Sequence, residues 1–341
     1  MSDPPTLEFF GATTFRLKAH GLTIFHDTWL EKPKLLQRHL ELEDVTVADY
    51  IFISHAHFDH LPGCDKLALR TGATVIANGE ALNVLRRRGV PESQLLPVAG
   101  GERIPLFTRE IREQAAAGTC KTLPGPPGAP LRPDPSLAAC AVHVWPSLHC
   151  LMPSEHPEVF DTGRVYTGSA TPYDCTLDIT HAMTWGLMRL GEIVPSDKMD
   201  DGMRSLANFL ADRESNAMSG FDGGQLLFNV LLGDKTILFN SHLGGYGGIM
   251  EQIEPRPDVA VLGIAGRANY YGRPFDGSAA EFAVKELEWL GRPKKVIWAL
   301  HDECLIAPYR VDTGPATELV QKEIGSQVVE LSYAKPYVLF D

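Results

Sequence analysis

A short apolar run followed at once by metal-ligating residues is the feature that most limits how this chain can fold. The run YIFIS occupies residues 50–54, and HAHFDH follows it, with His55, His57, Asp59 and His60. Imidazole nitrogens and carboxylate oxygens are the ligands that zinc and similar divalent ions select. A solvated polar loop would explain one histidine, but four such residues at this spacing indicate a metal site at the end of a buried strand.

The spacing divides this motif between two ions. His55 and His57 are alternate residues at the strand exit and would hold one ion, while Asp59 and His60 lie further round the turn and would hold a second. Two ions about 3.5–4 Å apart clamp one water molecule between them. Two ligands per ion are too few, so we expect further ligands at the same edge of the sheet.

Three later apolar runs each end in a histidine. AVHVWPSLHC places His149 just past a strand, TILFNSHLGG does the same for His242, and KKVIWALHDE for His301. In an α/β sheet the loops that follow the strands gather at one rim, where ligands usually bind. A structural role is the simpler explanation for each histidine alone, but the repeated context indicates a shared site.

Strand-like and helix-like segments alternate along the chain, which favours the α/β class. Residues 223–240 carry the strongest hairpin signal, two apolar strands joined through Gly233-Asp234. Residues 118–137 are so rich in glycine and proline that we expect a loop without regular structure. Residues 176–220 show helical spacing of apolar residues and predict a helical insertion.

Composition limits the classes of partner. The formal net charge of −12 and the pI near 5.5 oppose binding to nucleic-acid phosphates. No uncharged apolar run reaches the roughly 18 residues that span a bilayer, and the six cysteines lack the spacing of a disulfide framework. We expect a single domain over residues 1–341, located in the cytoplasm; homo-oligomer formation is left open.

The motif and the order of the later elements resemble the metallo-β-lactamase superfamily. Within it, GATTFRLKAHGLTIFHDTWL at 11–30 is similar to the opening of the branch that contains ascorbate-phosphate lactonase and N-acyl-phosphatidylethanolamine phospholipase D. The resemblance implies a four-layer αββα sandwich. It also implies a buried Asp27 that orients the ligands, a first ion held by His55, His57 and His149, and a second held by Asp59, His60 and His301.

One position departs from the family pattern. Where the family has Gly-Asp-Thr, with an aspartate that bridges both ions, this chain has SHL at 241–243. A neutral imidazole offers one lone pair to one ion, so His242 either binds one ion or leaves the second site weak. The centre also loses a negative charge, which favours an anionic substrate. Two divalent ions are expected, zinc first, with manganese or iron as alternatives; Asp174, Asp302 or Glu303 would replace the missing carboxylate.

The loop GRANYYGRP at 266–274 follows a predicted strand and should approach the same rim. We expect Arg267, Asn269, Tyr270 and Tyr271 to bind the substrate, with the arginine gripping a carboxylate or phosphate. A surface loop with a salt-bridged arginine is the alternative.

The resemblance and the motif together predict a metal-dependent hydrolase of a small, anionic substrate. A metal-bound hydroxide would attack a lactone, ester or amide, or a phosphodiester. Asp59 would orient the nucleophile, and His242 or Tyr246 would protonate the leaving group. An iron-dependent oxidoreductase or dioxygenase on the same fold is the alternative that His242 favours, and a scaffold without catalysis is a third hypothesis.

Overall fold

The computed structural model describes residues 3–152, 161–168, 177–302 and 310–340. The strands in these ranges, in chain order, are β1 (Thr6–Phe9), β2 (Phe15–Ala19), β3 (Leu22–His26), β4 (Tyr50–Ile53), β5 (Thr74–Ala77), β6 (Leu95–Pro97), β7 (Arg103–Leu106), β8 (Thr122–Leu123), β9 (Arg132–Pro133), β10 (Cys140–Pro146), β11 (Leu226–Leu232), β12 (Lys235–Asn240), β13 (Gly244–Gly245), β14 (Val259–Gly263), β15 (Asn269–Tyr270), β16 (Arg273–Pro274), β17 (Lys295–Ala299), β18 (Gln327–Val329) and β19 (Tyr337–Val338).

Helices follow most of the parallel strands. The α-helices are α1 (Cys64–Thr71), α2 (Gly79–Arg87), α3 (Arg109–Ala116), α4 (Leu177–Trp185), α5 (Leu190–Ile193), α6 (Asp201–Ala211), α7 (Gly247–Met250), α8 (Ala279–Trp289) and α9 (Gly314–Glu323). Short 3₁₀ helices occupy Leu42–Asp44, Glu92–Gln94, Pro135–Leu137, Leu187–Arg189 and Ser196–Lys198. Among the described residues, no helix combines the length and the apolarity needed to cross a membrane.

Two seven-stranded sheets share one design. The first has the order β19-β1-β2-β3-β4-β5-β6 and is antiparallel from β19 to β3 and parallel from β3 to β6. The second has the order β18-β17-β14-β12-β11-β10-β7 and is parallel from β18 to β12 and antiparallel from β12 to β7. Each sheet therefore combines a meander with parallel strands that helices connect.

Strand β4 shows why the sheets stack. All four of its residues are buried; Tyr50 and Phe52 face the core between the sheets, whereas Ile51 and Ile53 face the helices. Alternate residues of a strand point to opposite faces, so a continuous apolar run must be covered on both sides. Phe52 stacks on Phe228 of the second sheet, with ring centroids 5.1 Å apart.

Helices cover both outer faces. Helices α1 and α2 pack on the first sheet through apolar residues such as Leu67 and Leu85, and α8 and α9 pack on the second through Phe282 and Val320. The predicted α/β class and the four-layer αββα sandwich are confirmed.

The predicted hairpin and helical insertion are present. Strands β11 and β12 pair antiparallel around Gly233-Asp234, and helices α4, α5 and α6 lie between residues 177 and 211. Their apolar residues form a cluster of their own that also includes Trp29 from the loop after β3. The insertion therefore packs against the segment that follows Asp27.

The prediction of no regular structure over 118–137 is wrong in part. Strands β8 and β9 pair antiparallel within it, Thr122 opposite Pro133 and Leu123 opposite Arg132, and Pro135–Leu137 forms a 3₁₀ turn. Proline is tolerated in such a short edge ladder because it loses only one donor. Asp134 then caps the turn by accepting from the Ser136 N–H at 3.0 Å.

Candidate metal centre

Five histidines meet at the edge of the sandwich where β4, β10 and β12 end. All five are buried: the loop after β4 contributes His55, His57 and His60, the loop after β10 contributes His149, and the loop after β12 contributes His242. Among the described residues, three groups each offer three possible ligand atoms that lie within 4.8 Å of one another. These groups are His55, His57 and His149; His55, His60 and His242; and His149, Cys150 and His242. The structure brings together histidines that the sequence spreads over almost 190 positions.

The ring nitrogens face one another at distances that suit a shared cation. His57 Nδ1 lies 3.1 Å from His149 Nε2, and His242 Nε2 lies 3.4 Å from His55 Nε2. Two nitrogens bound to one tetrahedral zinc at about 2.0–2.1 Å would be about 3.3 Å apart. Burial and the neighbouring imidazoles hold the pKa of His55, His57 and His242 well below the ordinary value, so these rings are neutral and their lone pairs are available.

Several buried nitrogens of this cluster lack a hydrogen-bond partner. These are His57 Nε2, His60 Nε2 and His242 Nδ1. A buried polar atom without a partner costs free energy, and native proteins rarely leave one without a reason. The donor set and its unpartnered atoms therefore fit divalent metal ions.

Asp27 holds the first-sheet side of the cluster in place. It follows β3 with a positive φ of 47°, which turns its carboxylate toward the end of β4. Its Oδ1 accepts from the Ser54 N–H at 2.8 Å, and its Oδ2 accepts from the Ser54 hydroxyl, from His60 Nδ1 and from the Ser241 hydroxyl at 2.9, 2.8 and 3.0 Å. Burial opposes ionisation, but His26 and His60 lower the pKa of Asp27 to about 2. The carboxylate whose position the resemblance implies therefore lies beside Ser54, His60 and Ser241, with a pKa that favours the ionised form.

Asp27 sets which ring nitrogen of His60 and of His55 faces the cluster. His60 Nδ1 donates to Asp27, which leaves Nε2 for a ligand. Ser54 Oγ lies 3.0 Å from His55 Nδ1; because the serine proton goes to Asp27, the ring nitrogen is the donor and His55 Nε2 points inward. Burial would lower the pKa of His60, but Asp59 and Asp27 raise it to about 10, so an ion at Nε2 must displace a proton.

Two serines that the sequence analysis did not single out complete this network. Ser54 precedes His55 at the end of β4, and Ser241 precedes His242 at the end of β12; both hydroxyls donate to Asp27. The dipeptide Ser-His, which occurs after both apolar runs, is the sequence signal that could have identified them. Gly263 of β14 lets this part of the β12 loop come close, because a Cβ there would lie 2.2 Å from Ser241 O.

His149 is oriented by the main chain around it. Its Nδ1 donates to Cys150 O at 2.7 Å, so Nε2 faces His57. Asn269 Nδ2 donates to His149 O at 2.8 Å, and Asn269 is fully buried. Asn269 therefore supports a histidine loop, which differs from the substrate contact that the sequence suggested.

A second network, made of neutral hydrogen bonds, joins the His149 and His242 loops. Ser147 Oγ donates to Asn240 Oδ1 at 2.8 Å, and Asn240 Nδ2 donates to Gly244 O at 3.1 Å and to Glu286 Oε1 at 2.6 Å. Burial raises the pKa of Glu286 to about 8, so this carboxyl is protonated at neutral pH. Sequence alone gave no signal for Glu286, which lies on the buried side of α8.

Asp59 and His301 are placed less centrally. Asp59 is partly exposed, and its Oδ2 lies 3.5 Å from His60 Nε2, so these two atoms can share an ion. The ring of His301 lies beside Phe9, with centroids 6.1 Å apart; among the described residues it joins no set of three ligand atoms within 4.8 Å. Its assignment to a second ion stays a prediction.

The candidate replacements for a bridging carboxylate have other positions. Asp302 accepts from the Ala12 N–H at 3.0 Å and from the Tyr333 hydroxyl at 2.6 Å, so its oxygens are already bonded. Asp174 and Glu303 lie outside the described residues.

The other predicted substrate residues pack mainly against protein. Arg267 donates to Phe275 O at 3.4 Å and to Asp276 Oδ1 at 3.3 Å. These contacts correspond to the alternative of a surface loop with a salt-bridged arginine. Tyr270 stacks on Trp289 of α8, with centroids 5.9 Å apart. Tyr271 is 47% exposed, and its hydroxyl accepts from the Gly248 N–H at 3.0 Å.

Tyr246 remains a candidate proton donor. It lies four residues after His242, immediately before α7 and half-buried, and its ring is 6.0 Å from that of Tyr271. Burial raises the pKa of its phenol, which keeps the proton on the oxygen at neutral pH.

Solved structures share this architecture. Igni18, a metallo hydrolase from Ignicoccus hospitalis, aligns over 99% of this chain and 100% of its own, with a TM-score of 0.52 and 16% identity. An isothiocyanate hydrolase from Delia radicum gut bacteria aligns over 98% of each chain, with a TM-score of 0.50 and 11% identity. CmlA, a diiron β-hydroxylase from Streptomyces venezuelae, aligns over 99% of this chain and 55% of its own, with a TM-score of 0.50 and 14% identity. At these identities the likeness shows the fold alone, the four-layer αββα sandwich.

Sequence comparison finds relatives for part of the chain. Residues 23–139, which include Asp27 and the whole motif after β4, match the family described as Beta-lactamase superfamily domain. A UPF0173 metal-dependent hydrolase from Pyrobaculum islandicum is 31% identical over 102 residues, 29% of this chain and 44% of the relative. A relative of the same name from Anaeromyxobacter is 37% identical over 87 residues, 25% and 31% of the two chains. The match thus spans less than half the length of these curated relatives.

Proposed function

We propose that this protein is a metal-dependent hydrolase that acts on a small, anionic substrate carrying a lactone, ester or amide, or a phosphodiester. The observation that carries the proposal is the cluster of five buried histidines, whose ring nitrogens face one another while Asp27 orients two of them from behind. The names of the UPF0173 relatives support the same activity. A cytoplasmic location is part of this proposal.

Divalent ions in this centre would supply Lewis acidity that polarises the bond to be cleaved and makes water a better nucleophile. We assign His55, His57, His60, His149 and His242 to metal binding, with Asp59 beside His60. Zinc is the first expectation because imidazole and carboxylate ligands suit it, and a pair of ions is expected because the described ligand atoms fall into more than one set.

The remaining roles belong to residues at the open side. His60 lowers the pKa of Asp59 against the effect of burial, so Asp59 is an ionised acceptor that can orient an attacking water molecule. His242 Nε2 faces His55, which favours metal binding over proton donation, so we assign the leaving-group proton to Tyr246. Because Arg267 is bonded to Asp276, the preference for an anion rests on the cationic centre itself.

Elemental analysis of protein purified without added metal, followed by chelation and an esterase, lactonase and phosphodiesterase panel, tests this proposal. We expect zinc in stoichiometric amount and hydrolysis that chelation abolishes and zinc restores. Stoichiometric iron with substrate-dependent oxygen uptake would instead establish the oxidoreductase alternative, which a histidine-rich ligand set also suits. Protein free of transition metals, with unchanged stability under chelation, would refute metal dependence.

A further inference from the structure

We propose that Cys150 is a thiolate ligand of the metal centre and acts together with His149 and His242. The inference rests on the proposed metal-dependent function and adds to it a sulfur ligand. Nothing in the HAHFDH motif requires a sulfur ligand, and a buried free cysteine ordinarily behaves as a small apolar residue.

The distances place the sulfur within reach of the histidine cluster. Cys150 Sγ, one ring nitrogen of His149 and one of His242 all lie within 4.8 Å of one another. All three residues are buried, with 6%, 9% and 3% of their surfaces exposed. His149 and His242 also belong to the all-histidine sets, so the sulfur adjoins the same centre rather than a separate one.

His242 also has a ring nitrogen that no protein group satisfies. His242 uses Nε2 toward His55, while its Nδ1 is buried without a hydrogen-bond partner. A buried imidazole nitrogen that no protein group satisfies is a group that a cation would satisfy.

The main chain on both sides of Cys150 is fixed. Before it, His149 O accepts from Asn269 Nδ2. After it, Leu151 N donates to Arg267 O at 2.8 Å, and Arg267 N donates to Leu151 O at 2.9 Å. A side chain on a main chain held at both ends has few positions to adopt, which is what a metal ligand requires.

Gly266 makes the space in which the sulfur lies. This residue has a φ of +91°, and a Cβ there would lie 2.8 Å from Cys150 Sγ and 3.1 Å from Leu151 O. Any larger residue would push the thiol or the backbone pairing away. The absence of a side chain at Gly266 therefore leaves room for the sulfur.

The charges of the other ligands are a further reason to expect a thiolate. The five imidazoles are neutral ligands, and Asp59 is the carboxylate beside them at His60. A thiolate would add a negative charge on the His149 and His242 side, and zinc and iron both accept sulfur together with nitrogen. On metal binding, the thiol proton leaves to solvent and no oxidation takes place.

Cobalt(II) is the probe for this ligand. The protein is stripped by chelation and titrated with cobalt, and its absorption spectrum is compared with those of Cys150→Ser and of Cys140→Ser. Cys140 is a matched control because it is also a buried free cysteine, at the opposite end of β10. Alkylation of Cys150 in the unmutated protein, read by peptide mass mapping with and without cobalt, provides a second measurement that needs no variant.

We expect a near-ultraviolet thiolate-to-cobalt band in the unmutated protein and in Cys140→Ser. Cys150→Ser should lose this band while it keeps the visible cobalt bands, and cobalt should protect Cys150 from alkylation. Visible cobalt bands without the thiolate band, or a thiolate band that survives in Cys150→Ser, would refute the sulfur ligand and leave the proposed function intact. Failure to bind cobalt at all would refute both.

Discussion

The two sheets supply the candidate centre in different ways. The first sheet contributes one contiguous loop after β4. An ionised carboxylate, Asp27, holds two of its three histidines, His60 directly and His55 through Ser54. The second sheet contributes single histidines on separate loops after β10 and β12, held by neutral bonds from Asn240 and Asn269.

This difference separates two ways of building a site. A contiguous motif has its geometry set by one strand exit and one turn, so a single anchor suffices. Separate loops must be fixed to one another, and a network of amide, hydroxyl and protonated carboxyl groups does this without placing another charge in the core. The positions of the first-sheet ligands should therefore depend more on the charge of Asp27. The positions of the second-sheet ligands should depend more on individual hydrogen bonds.

The largest expected effect comes from removing His57, with His301 as the comparison. His57→Ala should abolish stoichiometric binding of at least one ion, because His57 Nδ1 faces His149 Nε2 at 3.1 Å. His301→Ala should change the metal content little if the described geometry gives the full ligand set. Elemental analysis of the two variants measures this, with hydrolysis as a second readout. Loss of one ion in His301→Ala would show that the ligand roles implied by the resemblance hold.

The next effect concerns the charged anchor. Asp27→Asn keeps the shape of the side chain but replaces a carboxylate that accepts several hydrogen bonds by an amide. The amide N–H group would then face groups that also donate. We expect roughly 10–100-fold weaker metal binding and a loss of about 3 kcal/mol in the free energy of unfolding. Competition with a chelator and denaturant titration measure the two quantities. Ser241→Ala removes one bond to the same oxygen and should cost about 1 kcal/mol; equal losses in both variants would argue against a special role for the charge.

The same contrast explains what the sequence could predict. The α/β class follows from the alternation of apolar runs and helical segments, and the HAHFDH loop is local, so both were predictable. The four-layer sandwich was implied by the resemblance of the motif to a known superfamily. The convergence of His149 and His242 was predictable from their positions after strands. The support from Glu286 and Asn269 was not, because it depends on which loop backbones come within hydrogen-bond distance in three dimensions. Arg267 lies in the predicted loop after β14, but Asp276, two residues past that loop, takes up its charge.

A pH experiment tests the neutral network. Burial raises the folded-state pKa of Glu286 from 4.5 to about 8. Between these values the folded protein holds a proton that the unfolded chain has released. The contribution of this group is complete below pH 4.5 and is lost as pH rises toward 8, by about 1.4 kcal/mol per pH unit.

Glu286→Gln should therefore gain stability relative to the unmutated protein as pH rises through this window. Denaturant titrations of both proteins at several pH values measure the difference, in which the shared titration of the histidines cancels. Parallel stability curves would show that Glu286 is ionised in the folded protein and that the His149 and His242 loops are joined through a charge after all.

The smallest effect belongs to a single neutral bond. Asn269→Ala removes the donor to His149 O, and one such bond is worth about 1 kcal/mol, or roughly fivefold in metal affinity if the whole loss falls on the position of His149. Asn229→Ala is the matched control, since buried Asn229 of β11 likewise donates to a backbone oxygen, Pro255 O, at 2.9 Å, and neither residue of this pair lies in a histidine loop. Both variants should lose similar stability, and the Asn269 variant alone should lose metal affinity in competition with a chelator. If the two variants bind metal equally well, single neutral bonds do not position the second-sheet ligands, and packing of the surrounding apolar core must do so.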